Sequence, residues 1–306
     1  MLMIDIDLLA LLPGHQNSIY TVETGIDDAS FYTAGNDKGI VQWSLSDRKP
    51  TVVCPVKSSV YALHLSPERE ILVIGERSGA VSIFSLSDRK IIVRIEQHKL
   101  PIFSIAEIKR KNEILVGSED GTVSVISSLD YSFLYNFRVS ADTIRAMAVS
   151  PDENTIAFGC KDSLVRIYDA DTYSLQHELN GHTMPVTSVA FSPDNGVLLS
   201  GGRDAQLIAW SLSDYSISKS LTAHMSAVYD IKFHPGGRLF ATASQDKSIK
   251  IWDLDGMKLK RIISKDKGFN SHSHSVNKLT WVDSGKLLVS ISDDKMVMLW
   301  EIRITS

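Results

Sequence analysis

The sequence predicts an all-β chain built from seven repeated four-stranded units that close into a ring. Three observations carry that prediction. The segment Ser44-Leu45-Ser46-Asp47-Arg48-Lys49 recurs letter for letter from Ser85 to Lys90. It returns as Ser-Leu-Ser-Asp-Tyr from Ser211 to Tyr215, which sets a period near 42 residues. Large apolar or aromatic residues mark this period at Trp43, Phe84, Ile126, Tyr168, Trp210, Trp252 and Trp300, spaced 41, 42, 42, 42, 42 and 48 residues apart. Within the units the apolar positions alternate with period two, as in Val81-Ser82-Ile83-Phe84, Val165-Arg166-Ile167-Tyr168 and Ile249-Lys250-Ile251-Trp252.

In chain order, a strand-like segment from Asp5 to Leu12 precedes the first unit. It stands in the register of the strand before each later unit. Turns such as Ser150-Pro151-Asp152, Ser192-Pro193-Asp194 and His234-Pro235-Gly236-Gly237 punctuate the strands that follow. The last unit stops six residues after Trp300, with room for three strands but not four. The N-terminal segment is therefore expected to supply the outer strand of the last unit and knit the ring shut. One departure from the period, near Ser264 to Asn270, is expected to be an insertion rising between units six and seven.

Composition bounds the rest. The 306 residues carry 32 Lys+Arg against 36 Asp+Glu, a net charge of −4, with 43% hydrophobic and 22% charged residues. That is the balance of a globular chain, and its length can bury a core without disulfide staples. Length alone suggests two domains, but the repeats read as one domain over residues 1–306. Cys54 and Cys160 are too few for a disulfide framework, so a reducing, cytoplasmic setting is expected. The slightly acidic balance argues against non-specific nucleic-acid binding. The early apolar run Leu8 to Leu12 is too short for a membrane span, and it follows Asp5 and Asp7 where a signal peptide would be positive. Neither nucleic acid nor membrane is an expected partner.

Gly14-His15, Gly181-His182 and Ala223-His224 are each followed 28 residues later by Trp43, Trp210 and Trp252; Ser271-His272 precedes Trp300 by the same interval. Together with Trp252-Asp253, these motifs resemble the WD-repeat family of β-propellers over nearly the whole chain. The resemblance implies a seven-bladed β-propeller with four antiparallel strands per blade. It also implies an interaction platform that uses the face around the mouth of the central channel.

Four blades place a hydroxyl, an imidazole, a carboxylate and an indole at fixed spacing. They are His15, Thr33, Asp37 and Trp43; His182, Ser200, Asp204 and Trp210; His224, Thr242, Asp246 and Trp252; His272, Ser290, Asp294 and Trp300. A hydroxyl, imidazole and carboxylate can make a nucleophile. Here the hydroxyl follows the indole: where Trp becomes Phe84, Ile126 or Tyr168, the hydroxyl becomes Ile74, Val116 or Phe158. The sets are therefore read as structural chains that satisfy a buried indole N–H, and no catalytic residue is assigned. Blades two to four, which lack the full set, are the candidates for a looser arc. His272 and His274 lack further ligands at metal spacing, so no metal and no cofactor is expected. Lys109-Arg110-Lys111 falls on a hairpin turn and reads as solvated.

Two positions per blade should face the channel mouth. The first, five residues after the His position, reads Tyr20, Tyr61, Phe103, Arg145, Thr187, Tyr229 and Asn277; the second, before the Asp position, includes Arg77, Glu119, Lys161, Arg203 and Asp293. Exposed aromatics beside arginine are the composition of interaction hot spots. The expected partner-binding set is Tyr20, Tyr61, Phe103, Arg145, Tyr229, Arg77, Lys161 and Arg203, with packing of the channel wall as the other reading of the aromatics. The expected function is a non-catalytic scaffold or adaptor for a protein or peptide. The basic sector of Arg145, Lys161 and Arg203 suits an acidic or phosphorylated segment, and the propeller is also suited to serve as a subunit of a larger complex. The alternative is an enzyme or small-ligand binder with its site at the channel mouth. Against an enzyme, Glu119 and Asp293 are lone carboxylates on blades three and seven.

Overall fold

In the computed structural model, which describes residues 3–305, the strands form seven four-stranded sheets, each with all neighbouring strands antiparallel. Blade one runs outward through Ile19–Thr24, Ser30–Gly35, Gly39–Ser44 and Pro50–Pro55. The pattern repeats to blade seven, where Val276–Val282, Leu287–Ser292 and Met296–Thr305 are completed by the N-terminal strand Met3–Pro13. That strand pairs antiparallel with the last one, from Met3 opposite Thr305 to Pro13 opposite Met296. The expected ring closure is present.

Burial falls outward along each blade. The second strands Ser30–Gly35, Ile71–Glu76, Leu239–Ser244 and Leu287–Ser292 are buried at every residue, whereas outer strands such as Phe133–Arg138 and Ile217–Thr222 are largely exposed. Among the described residues there is no central core. Seven apolar clusters sit between neighbouring blades instead, each drawing on two adjacent sheets. Ile4 joins the cluster of blades six and seven, and Leu12 joins that of blades seven and one. Every blade carries a bulge between its first and second strands, which adds to the twist that wraps the sheets round an axis.

The Gly-His motif has a steric cause. A Cβ on Gly14 would lie 2.8 Å from the edge of Trp43, and one on Gly181 would lie 2.8 Å from Trp210. In these two blades the indole packs under the loop that carries the histidine and the backbone passes bare, whereas blades six and seven accommodate Ala223 and Ser271 there.

Candidate functional site

The four Trp-containing blades hold one hydrogen-bond chain each. The indole Nε1–H donates to Thr33, Ser200, Thr242 or Ser290 over 2.7, 2.8, 2.9 and 2.9 Å. The same hydroxyls meet Nε2 of His15, His182, His224 and His272 at 2.7 to 2.8 Å. The Nδ1–H side of each ring faces Asp37, Asp204, Asp246 or Asp294 at 2.7 to 3.1 Å. The carboxylate also accepts the backbone N–H after the histidine, as at Thr183 (2.9 Å) and Met225 (2.9 Å). With the indole and the imidazole both on it, the hydroxyl has no route to a substrate, and all four hydroxyl residues are fully buried. The chain pins the His-bearing loop and the Asp-bearing turn to the second and third strands.

Burial pushes the His182 and His224 imidazoles down, against the pull of their carboxylates. Burial pushes upward on Asp246 and Asp294, but the hydrogen bonds and charge of His224 and His272 outweigh it. Asp246 ends well below the usual carboxylate range and Asp294 at about 2.

Blades two to four, expected to be a looser arc, carry polar ties of their own. In blade three the hydroxyl has moved to the third strand: His98 Nε2 meets Ser124 Oγ at 2.8 Å and Nδ1 meets Asp120 at 2.8 Å. In blade four Ser140 stands at the histidine position, and Arg166 bridges Asp162 (2.7 Å) and Glu178 (2.8 Å). In blade two the fully buried Glu76 is paired with Arg94 and accepts from Ser58 (3.0 Å) and Ser82 (3.1 Å). Its counterpart in blade five is Gly202, where a Cβ would lie 2.6 Å from His182 Nδ1. The Glu76 side chain thus fills the space a histidine takes elsewhere. The basic triplet adds a further tie. Lys109 reaches Glu68 of blade two at 3.2 Å, Arg110 reaches Asp171 of blade four at 2.5 Å, and Lys111 pairs with Glu113 at 3.0 Å over the Tyr173 ring. This turn is an inter-blade staple rather than a free basic patch.

The channel mouth gathers most of the residues expected there. Tyr20, Tyr61, Phe103, Arg145, Thr187, Tyr229 and Asn277, one from each innermost strand, line one cavity together with Arg203, Lys278 and Asp293. Arg77 and Lys161 do not line it; both are exposed on the rim, and Lys161 pairs with Asp142 at 3.3 Å. The aromatics are half-buried rather than fully exposed, because they pack on one another. Tyr20 lies 5.0 Å from Tyr61 and Tyr61 lies 5.3 Å from Phe103, and the Arg145 guanidinium caps the arc 4.6 Å over the Phe103 ring. Burial first, and then the Arg203 charge, push the Arg145 guanidinium down. Two like charges therefore share this sector. Across the mouth, Asp293 accepts the Asn277 amide at 2.9 Å.

Sequence reasoning missed two features. Around the rim, Leu100, Met184 and Met225 are exposed apolar residues on loops that follow the histidine position, and Met225 is 94% exposed. An apolar residue one or two places after that position was the available signal. Behind the mouth the channel opens into about 440 Å³, with Glu23, His64, Asp230, Lys232 and Lys278 among its lining and Ala146, Ala148 and Ala190 at the matching positions of blades four and five. The insertion near Ser264 is anchored by Phe269, whose ring packs edge-on to Trp300 with centroids 6.1 Å apart.

A family model described as "WD domain, G-beta repeat" matches residues 131–169, 173–211, 215–253 and 264–301, together half of the chain. No curated protein matches the sequence. Among solved structures, the WD40 beta propeller domain of Doa1 is similar at 21% identity and a TM-score of 0.85, over 98% of this chain and 97% of that one. At that identity the likeness concerns the fold.

Proposed function

Because the chain belongs to the WD domain, G-beta repeat family, we propose that it is a non-catalytic scaffold whose channel mouth takes a segment of a protein partner. The observation that carries this reading is the arc Tyr20–Tyr61–Phe103, capped by Arg145 and flanked by Arg203 and Tyr229. Half-buried aromatics give rigid apolar contact at little entropic cost, and arginines beside them add directed hydrogen bonds. Arg145 meets an aromatic face rather than a carboxylate, and Arg203 repels it, so an acidic or phosphorylated segment would relieve both. The exposed Met184 and Met225 extend the surface with adaptable apolar contacts. The two cysteines are buried free thiols, each pushed up to about 11 by burial, which suits a reducing compartment.

The test is a pull-down from native lysate with the wild type and a Tyr20→Ala/Tyr61→Ala/Arg145→Glu variant whose melting curve matches it. Partners captured by the wild type and lost in the variant are the expected result. Equal capture would move the site to another face. No specific capture by either protein would favour a small-molecule or enzymatic role for the chamber behind the mouth.

A further inference from the structure

Each blade presents its outer strand as a free sheet edge, and such edges are usually guarded by charge or proline. Six of the seven are. Pro50–Pro55 begins and ends in proline; Lys90–Ile95 carries Lys90 and Arg94; Leu175–Asn180 carries His177 and Glu178. Ile217–Thr222 carries Lys219, Lys258–Ile263 carries Lys258, Lys260 and Arg261, and Met3–Pro13 carries Asp5 and Asp7. The outer strand of blade three, Phe133–Arg138, reads Phe-Leu-Tyr-Asn-Phe-Arg and has no guard before its last residue.

This edge is also apolar on its surface. Phe133, Leu134 and Tyr135 are 39%, 42% and 40% exposed, and Leu129 in the preceding turn is 66% exposed. The positions matching Leu134 and Tyr135 in blade five are Ser218 and Lys219, and in blade six Lys260 and Arg261. On the neighbouring blade Ile91 and Ile92 are exposed too. Exposed apolar residues gathered on one edge in this way mark a contact surface.

We propose that the outer edge of blade three is a self-association surface, on which a second copy of the chain packs antiparallel about a twofold axis passing near Leu134. The flanking charges point to a second copy. Asp130, in the turn before the strand with Oδ1 held by Ser132, and Arg138, at the strand's far end, carry opposite charge and are both exposed. An antiparallel twofold sets Asp130 of each copy against Arg138 of the other, and Phe133 against Tyr135. A twofold contact must be self-complementary in this way. Arg138 meets the Asp120 and Ser140 carbonyls through Nη1 (3.3 and 3.2 Å), which leaves Nη2 to meet a carboxylate. The bulge at Leu134 interrupts the ladder, so side chains carry most of the contact. One six-residue strand and a turn bury less than a stable interface of roughly 1,200 Å² or more, so the dimer is weak and concentration-dependent.

Sedimentation equilibrium of the intact chain, from about 1 to about 300 μM, tests this. The weight-average mass of the wild type should climb from monomer towards dimer. Asp130→Arg and Arg138→Asp should each weaken association at least about tenfold, and the double exchange should restore it. Tyr135→Lys should leave a monomer, whereas the channel-mouth triple variant should dimerise like wild type. Asp130 Oδ1 accepts from Ser132 N–H and Oγ–H (3.1 and 2.8 Å) and Tyr135 packs edge-on to Tyr173 (5.8 Å), so Asp130→Asn, which keeps an acceptor in the turn but removes the charge, must also weaken association and keeps the test sound if a larger change unfolds the chain. A wild type that stays monomeric throughout, or variants that associate as tightly as wild type, would overturn the proposal.

Discussion

In blade five the indole of Trp210, the hydroxyl of Ser200, the ring of His182 and the carboxylate of Asp204 form one chain of hydrogen bonds. Blade two has Phe84, Ile74, Val56 and Ser78 at the same four positions, yet it has the same four strands and an equally buried second strand. Its loop and turn are tied by Glu76 to Arg94, Ser58 and Ser82. Blades five, six, seven and one form one contiguous arc of the ring, and two, three and four form the other. The difference teaches that a blade requires a buried donor and acceptor joining its loop to its strands, and that the residues supplying them can change. Indole and hydroxyl are exchanged together because a buried N–H without its acceptor is costly, whereas a Phe beside an Ile leaves nothing unpaired.

The largest expected effect falls where the first arc is closed. Deleting residues 1–13 removes the buried Ile4 and Leu12 and the half-buried Ile6 and Leu8. It should cost on the order of 5 kcal/mol, read as a large drop in melting temperature. An unchanged melting temperature would mean that the polar chain of blade seven, not its fourth strand, holds the ring.

Next comes the second arc. Glu76→Ala removes the acceptor shared by Ser58, Ser82 and Arg94 and leaves the guanidinium only its outer partner Glu96 at 3.1 Å, and buried donors without their acceptor cost about 1–3 kcal/mol. Urea unfolding should show that loss without a change in slope. A loss below about 1 kcal/mol would mean that blade two stands on apolar packing alone, as expected of a looser arc.

Acid should separate the arcs more gently. His182 and His224 are held below their ordinary value of 6.5 by burial, so on acidification from that value the unfolded chain takes up protons that the native rings refuse. Stability contributed by blades five and six is therefore full above pH 6.5 and falls below it. The lowered carboxyls Asp37, Asp120, Asp162, Asp246 and Asp294 belong to both arcs. Their contribution is full above their unfolded value of about 3.9 and disappears as pH falls through the folded values, for Asp294 about 2. Amide exchange at about pH 5 against pH 7 should lose protection first in blades five and six and later in blade two. Earlier loss in blade two would reverse the comparison.

What the sequence revealed follows the same division. The four Trp chains could be read because each partner lies at a fixed interval from the next and a repeat preserves intervals. Ser124 replaces a hydroxyl from a different strand, 26 residues after His98 rather than 18, so no spacing marked it. Glu76 and Arg94 meet only through strand register, and nothing in a single strand's pattern pairs them. At the channel mouth the repeat register placed one residue per inner strand correctly. It could not tell that Arg203 would reach the cavity while Lys161 turned aside to Asp142, because side-chain direction depends on local neighbours.

The finest test of the comparison moves blade five's chemistry into blade two. Leu72 stands opposite Phe84 in blade two as Leu198 stands opposite Trp210 in blade five, and Ile74 holds the place of Ser200. Phe84→Trp alone adds a ring and a buried N–H with no acceptor; Ile74→Thr alone adds a hydroxyl with no indole. Each should destabilise, the first by about 1–3 kcal/mol. The double variant keeps the larger ring, has the smaller side chain at position 74, and can form the bond that Trp210 makes at 2.8 Å. It should be less destabilised than the sum of the two by about 1 kcal/mol, measured as a double-mutant cycle by urea unfolding. Strict additivity would mean that indole and hydroxyl occur together for reasons of shape. The joint loss of both across blades two to four would then say nothing about hydrogen bonding.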